Sequence, residues 1–408
     1  MARPPRILDI SLSPLQRDAR VLRQLSVVAE FGEVTTVGYG PATPFSAHHL
    51  EVPADAKSLP QTPLGVAELA LHLHRAVDLG APATRAALAQ LGGQRFDAVV
   101  TNDARSLPLA LEAAHGAPVW IDLHEWAPEE RTHVTSWRLL VAPWIDHICR
   151  EYLPRAAAAT TVGNRIADLY AQHYGIRPRL MRNAAPLADL SPTPVAEDGP
   201  IRLVHSGGAV PGRALETTID ATIAAGDGFT LDLYLVPAAD GGRYLRQLGE
   251  RAGDSPRIRF HDPVAPADLP ATLNAHDVGV FWIPPFNTNA RLTLPNKLFD
   301  YVQARLAVAV GPTVEMTDVV EGYGLGVVSR GYGVEEVVES LRSLTPQRIR
   351  EFKAASDAAA PALSFANEAR VAREILSGPL GLGAGASDEA GTPGDEGGTP
   401  AAGTAEGR

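Results

Sequence analysis

The chain has a single cysteine, Cys149, among 408 residues. A lone thiol excludes an internal disulfide and any metal centre built on several cysteines. A reducing compartment fits it, with Cys149 read as a half-buried packing residue. No apolar run approaches the ~20 residues that cross a bilayer. Met1-Ala2-Arg3-Pro4-Pro5-Arg6 runs straight into a strand pattern without a leader signature, so a cytoplasmic location is expected, with peripheral contact at the inner membrane face as a further option. Basic excess is also absent: 36 Lys and Arg stand against 47 Asp and Glu, for a net charge of −11. Five carboxylates against Arg408 after Leu382 supply −4 of this and leave −7 on the body. An acidic body argues against nucleic acid as a partner, because phosphate neutralisation needs a basic face. The loop after the first strand lacks a Gly-x-Gly-x-x-Gly turn, which counts against a dinucleotide-dependent dehydrogenase. No Asp-x-Asp clamp is found, so no metal site is assigned.

What is present is apolar content of 45%, enough for two domains of ordinary size. Strand-length and helix-length patterns alternate throughout, as in doubly wound parallel sheets. Arg6 to Ser11 reads as a strand. Asp18 to Ala29 reads as a helix with Val21, Leu25 and Val28 inward and Asp18 as its cap, and Glu33 to Gly38 as the next strand. Residues 41–60 read as loop with a short strand, and Leu64 to Leu91 as one long helical region. His72 and His74, two apart on different faces of that helix, make poor metal ligands. Phe96 to Thr101 and Pro118 to Asp122 are strands ending in Asn102-Asp103 and Leu123-His124-Glu125. Polar residues at the carboxyl ends of strands mark the ligand edge of an open sheet. A loop histidine satisfied by Glu125 or Glu129 is the structural alternative for His124. Residues 131–155 mix Trp137, Leu139, Leu140, Trp144 and Ile145 with four arginines. They read as a core-packing helix pair interrupted by Pro143, the alternative being peripheral membrane contact through an amphipathic helix.

After a Pro-rich linker the pattern restarts. Ile201 to His205 is a strand, Ser206 to Gly212 a Gly-rich loop and Arg213 to Ala224 a helix. Adjacent glycines let backbone N–H groups approach a diphosphate, with Arg213 to neutralise it at the helix N-terminus. Tight helix–strand packing is the competing explanation of those glycines. Leu231 to Val236 and Ile258 to Phe260 are strands, followed by the loop His261-Asp262-Pro263-Val264 and by Asp268 as a helix cap. Asp277 to Ile283 is a strand, Lys297 to Gln303 a helix with Leu298, Tyr301 and Val302 on one face, and Leu306 to Val310 a strand. Pro295 precedes that helix, where a missing N–H costs little. Lys297 and Asp300 fall in its first turn, at the carboxyl edge of the sheet, where a phosphate and a polyol can be held. An ordinary helix start with a surface Lys–Asp pair is the alternative. Glu321 to Val328 and a helix from Val334 to Leu344 complete the sheet.

Pro295-Asn296-Lys297-Leu298-Phe299-Asp300-Tyr301, with the apolar strand after it, resembles the donor-sugar motif of family 4 retaining glycosyltransferases. Asp122-Leu123-His124-Glu125 resembles the Asp-x-His-Glu of a subset of that family. Asp18-Ala19-Arg20-Val21 resembles its first helix, and Leu180 to Pro186 the end of its first domain. The resemblance implies an α/β chain of GT-B fold, two doubly wound Rossmann-like domains facing an interdomain cleft. Residues 1–186 would form the acceptor-side domain, 187–200 the linker and 201–350 the nucleotide-sugar domain. Helices over 351–379 would return to the first domain, and residues 380–408 would form a disordered tail.

The implied reaction moves a sugar, with retention, from a nucleotide-sugar co-substrate to a hydroxyl acceptor: a cell-envelope glycan, a lipid-linked saccharide or a secondary metabolite. No metal and no further cofactor are expected. The resemblance assigns catalysis to His124, Arg213 and Lys297. Donor binding falls to Gly207, Gly208, Arg213, Pro263, Val264, Leu294, Asn296, Lys297 and Asp300, with Asp300 on the ribose and Pro263-Val264 beside the nucleobase. Asn102, Asp103 and Glu125 face the acceptor. The chain departs from the family twice. Gly207-Gly208 stands where many members carry a basic residue. Leu292 replaces the first glutamate of the family's pair, the second being shortened to Asp300, so backbone groups of Arg291 to Leu294 are expected to meet the sugar. Another GT-B enzyme, an epimerase or a phosphorylase, is an alternative, as is a hinged two-domain binder without activity.

Overall fold

The computed structural model of the protein describes residues 3–238 and 240–383. In the first domain, β1 (Arg6–Pro14), β2 (Glu33–Tyr39), β3 (His48–Val52), β4 (Ala98–Asn102), β5 (Val119–Leu123), β6 (Ala158–Thr161) and β7 (Arg179–Leu180) form one sheet of order β3-β2-β1-β4-β5-β6-β7. The second sheet, of order β10-β9-β8-β11-β12-β13, holds β8 (Ile201–Ala209), β9 (Phe229–Pro237), β10 (Ile258–His261), β11 (Val278–Phe281), β12 (Ala307–Val310) and β13 (Gly326–Val328). Every pairing is parallel, with Ile7 opposite both Val34 and Ala98, and Val278 opposite both Leu203 and Ala307. Helices cover both faces of each sheet, which is why β4, β5, β11 and β12 are buried along their whole length and read as apolar runs without alternation. The sequence expectation of two doubly wound α/β domains holds.

The carboxyl edges of the two sheets face each other. Loops leaving β5 and β6 meet segments leaving β11 and β12: Trp126 pairs with Asn289, and the Arg165 backbone N–H donates to Glu315. Glu315 lies in a helix, Val314–Tyr323, whose last residues, 321–323, were expected in the sheet; the strand itself is confined to Gly326–Val328. The Glu315 carboxylate sits at the N-terminus of the helix Asn164–Tyr174, which no side chain of its own domain caps. A carboxylate there satisfies open N–H groups and complements the helix dipole. At the far end of the chain, the helix Phe365–Ser377 crosses back and lays Ala369, Ala372, Ile375 and Leu376 into the core made by Ile7, Val21, Leu25, Val28 and Trp120. Arg373 and Glu30 join it there through two bonds of 2.7 and 2.8 Å.

Several local expectations change. The long helix over 64–91 is three helices, Pro63–Ala70, His74–Val77 and Pro82–Leu91. His72 breaks the first with φ +54°, and Pro82 starts the third because its N–H is not needed in a first turn. In residues 131–155 a π-turn (Trp137–Val141) runs into an α-helix (Ala142–Tyr152) with Pro143 in its first turn. Trp137, Trp144, Ile145 and Ile148 are buried, so this helix turns its apolar face inward and leaves Leu139 outside. Cys149 is fully rather than half-buried. Asp268 stands at the start of the helix Leu269–Asn274, but its side chain makes no capping bond. Leu380 and Leu382, assigned to the tail, are buried in the first domain's core; the rest of that tail, from 384 on, lies outside the described residues. No helix among the described residues is long and apolar enough to cross a membrane.

Candidate functional site

On the second domain, the site is built where β8 ends. Gly207 has φ +122°, and a Cβ placed there would lie 2.5 Å from Lys297 Nζ. The missing side chain therefore leaves room for the ammonium. A Cβ on Gly208 would come within 3.7 Å of an Arg213 guanidinium nitrogen. Gly207, Gly208, Arg213 and Lys297 thus converge on one spot. Arg213 lies two residues ahead of its helix, Leu215–Ala225, separated from it by Ala214 at φ +54°, so it is held by a turn and not by the first helical turn. Lys297 lies in the first turn of the helix Asn296–Gln303, which starts after Pro295. Its Nζ stands 5.3 Å from the centre of the Phe281 ring and has no hydrogen-bond acceptor among the described residues. Burial, followed by the Arg213 charge, pushes its ammonium down to about 8, against the pull of Asp300. Burial pushes the Asp300 carboxyl up to about 6, while Lys297 and Arg23 of the first domain oppose it. Two half-buried cations, with no ion pair among the described residues and only Asp300 nearby to offset them, form a place suited to an anion.

Across the cleft, β5 delivers Asp122 and His124. Asp122 is fully buried and gripped by Arg20, by Nε at 2.7 Å and Nη2 at 2.8 Å, with Thr160 Oγ1 at 2.6 Å. Burial disfavours its charge, but Arg20 and His124 hold the carboxyl well below the usual range. His124 Nε2 lies 3.1 Å from Asn102 Oδ1 and 3.4 Å from Asp122 Oδ2, and Nδ1 lies 3.5 Å from Asp103 Oδ1. Both ring nitrogens thus face acceptors. Burial works against the imidazolium, yet Asp103 and then Asp122 push it up to about 9. With acceptors facing both ring nitrogens, the imidazolium is the favoured form at neutral pH, which suits a donor better than a base. Burial also pushes Glu125 up to about 8, reinforced by Glu130 and Asp103.

The other expected residues divide by place. Asn102 is buried behind His124, its amide donating to Gln24 Oε1 at 3.0 Å, so it orients the imidazole and does not face the cleft. Asp103, at φ +66°, is held by Arg105 at 3.3 Å. Leu294 packs in the core. Pro263 and Val264 lie on the loop leaving β10, two strands out from β8 at the sheet margin. Asn296 is exposed and lines a hollow of about 380 Å³ with Ser13, Arg17, Arg20, His124 and Asn183. A second hollow of similar size, on the Glu125 side, is walled by Glu130, Arg213, Phe286, Asn289 and Thr293. Sequence reasoning missed Arg20, Arg23, Asn289 and Glu315. Only Arg20 carried a signal, as part of the Asp18-Ala19-Arg20-Val21 pattern. Among the described residues, no group of three or more His, Cys, Asp or Glu is placed to hold a metal ion.

Residues 33–186 match the family model described as Glycosyltransferase Family 4. No curated protein matches the chain in sequence. Anabaena HepE, solved in complex with UDP-glucose, matches with a TM-score of 0.66 at 16% identity, covering 91% of this chain and 99% of that one. Sucrose-phosphate synthase from Thermosynechococcus elongatus gives 0.65 at 13% identity, covering 91% and 99%. WaaG, a glycosyltransferase involved in lipopolysaccharide biosynthesis, gives 0.62 at 14% identity, covering 91% and 100%. At these identities the likeness is one of fold, the GT-B arrangement of two Rossmann-like domains.

Proposed function

We propose, from the premise that the first domain is a glycosyltransferase family 4 domain within a GT-B fold, that the protein transfers a sugar from a nucleotide-sugar donor to a hydroxyl acceptor, with retention at the anomeric carbon. The observation that carries this reading is the pair of cations, Lys297 and Arg213, without a side-chain anion bonded to them among the described residues, beside the two glycines near the end of β8 and across the cleft from His124. HepE, of the same fold, is solved with UDP-glucose, which supports a nucleoside diphosphate as the anion.

In this mechanism the donor diphosphate lies against Gly207 and Gly208, held by Lys297, Arg213 and the N–H groups opening the helix Asn296–Gln303. Those groups meet the negative charge that grows as the sugar–phosphate bond breaks, which is where fixed electrostatics lower a barrier most. Asp300 accepts from the ribose hydroxyls. The acceptor hydroxyl enters through the hollow of Ser13, Arg17, Asn183 and Asn296 and attacks on the face the diphosphate leaves. Its proton passes to the departing phosphate oxygen, because His124 already carries both of its own. The two cations do the charge neutralisation, so neither a metal nor a further cofactor is assigned. Turnover that persists in EDTA is the expected result. Since WaaG works in lipopolysaccharide biosynthesis, cell-envelope saccharides head the acceptors to try.

The test is a panel of nucleotide sugars offered to the purified protein, read by thermal shift and by nucleoside diphosphate release. One donor should raise the unfolding temperature, since a ligand stabilises the state that binds it, and should release its diphosphate when an acceptor is added. Failure of every donor to bind rejects the proposal.

A further inference from the structure

The backbone of the loop that carries His124 is shared between the two domains. From its own side, the Tyr170 hydroxyl donates to the Glu125 carbonyl at 2.9 Å and accepts from the Ala127 N–H at 3.1 Å. The residue between them, Trp126, is satisfied from across the cleft. Its N–H donates to Asn289 Oδ1 at 2.8 Å, and its carbonyl accepts from Asn289 Nδ2 at 3.1 Å. One amide of the second domain therefore holds both polar backbone groups of one residue in the first. A carboxamide presents a donor and an acceptor side by side, which matches the N–H and carbonyl of one residue.

The surroundings make the joint stiff at both ends. The Trp126 ring is buried, stacks on Tyr174 and meets Tyr170 edge-on, and its indole N–H donates to Glu129 at 3.3 Å. Glu129 in turn accepts from the hydroxyl of Thr288, the neighbour of Asn289. Asn289 lies in the short helix Thr288–Arg291, whose first turn is capped by Asn287. That helix leads within a few residues to Lys297. Closure of the cleft and the placing of the His124 loop are thus joined through Asn289, with the Thr288–Glu129 bond beside it.

We propose that Asn289 is a positioning residue: it docks on Trp126 when the domains close and fixes the backbone from which His124 and Glu125 project. The proposal deepens the sugar-transfer reading and rests on it, apart from the closure itself, which is measurable without any substrate. A misplacement of about 1 Å can cost roughly 10²-fold in rate, so Asn289→Ala should lower kcat by roughly ten- to a hundredfold with donor KM changed less than about threefold.

The experiment compares wild type, Asn289→Ala and Asn289→Gln by ligand-free small-angle scattering, thermal unfolding and steady-state kinetics with the donor found above. Asn289→Ala should show a larger radius of gyration and an unfolding midpoint close to wild type, and Asn289→Gln, which keeps the amide, should regain part of the lost kcat. Should Asn289→Ala misfold, Asn289→Asp keeps the size and the acceptor but loses the donor, and the same losses are expected in weaker form. Wild-type radius together with wild-type kcat in Asn289→Ala overturns the proposal, as does a kcat for Asn289→Gln no better than for Asn289→Ala. If no donor turns over even with wild type, the transfer reading fails, and the scattering comparison alone decides whether Asn289 holds the domains together.

Discussion

Arg20 grips Asp122 through two parallel hydrogen bonds, of 2.7 and 2.8 Å, with the arginine 7% exposed and the aspartate fully buried. The same guanidinium reaches the Met181 carbonyl at 2.8 Å and Asn183 Oδ1 at 3.0 Å. It therefore ties the first helix and β5 to the segment that ends the first domain. It also keeps Asp122 ionised beneath His124. Removing one member of a buried ion pair strands the other, at a cost of about 3–5 kcal/mol. Arg20→Ala should lose about that much in urea unfolding. A loss below about 1 kcal/mol would show that Asp122 finds another partner.

Donor affinity should depend on pH through Lys297. Its ammonium is pushed down to about 8, first by burial and then by Arg213, so it is mostly charged at pH 7 and mostly neutral at pH 9. A diphosphate that binds only the charged form should bind roughly tenfold more weakly at pH 9 than at pH 7. Titration of nucleoside diphosphate by calorimetry across this range reads the effect. Lys297→Ala should flatten the pH profile and reduce turnover by roughly two orders of magnitude or more, as for loss of a transition-state charge partner. An unchanged slope in Lys297→Ala would assign the titration elsewhere.

Gly207→Ala tests the clearance beneath that ammonium. The added Cβ would fall 2.5 Å from Lys297 Nζ, on a backbone at φ +122° that side chains rarely adopt. Lys297 must then move away from the end of β8. Turnover should fall by roughly 10²-fold, while circular dichroism and the unfolding transition show a folded protein. Wild-type turnover in this variant would mean that the ammonium works from another place.

Asp9 should give the fold a pH dependence of its own. It is buried in β1, neither oxygen has a hydrogen-bond partner among the described residues, and burial, then Asp122 and Asp18, push it up to about 8. Between an unfolded value near 3.8 and a folded value near 8, the native state keeps a proton that the unfolded chain has lost. Stability from this group is therefore present at low pH and declines as pH rises through that window. Asp9→Asn cannot ionise, so its unfolding midpoint should gain on wild type as pH goes from 5 to 9. Parallel midpoint curves for the two proteins would refute the ionisation.

The parts legible in the sequence were those set by neighbours along the chain. Lys297 and Asp300 were placed at a helix start because Pro295 and the apolar spacing of Leu298, Tyr301 and Val302 fix that turn locally. The central strands β4, β5, β11 and β12 follow from buried apolar runs. The single helix expected over 64–91 is divided, because apolar spacing hides the break that Gly80 and Pro82 make. Asn102 was placed facing the cleft because strand ends usually do, whereas its contacts with Gln24 and His124 turn it inward. Asn289 was illegible for a different reason. A surface-looking amide acquires meaning only from a backbone 163 residues away, and no local pattern reports that distance. Leu380 and Leu382 were lost in a Gly-rich stretch for the same cause.

The crossing helix Phe365–Ser377, with Leu380 and Leu382 behind it, makes the first domain a discontinuous unit. A fragment cut at the linker would carry a raw apolar seam where Ile375 and Leu376 belong, and would be prone to clump. Anyone wishing to study the halves separately should graft residues 363–383 onto the N-terminal piece, and should keep fusion partners beyond Leu382.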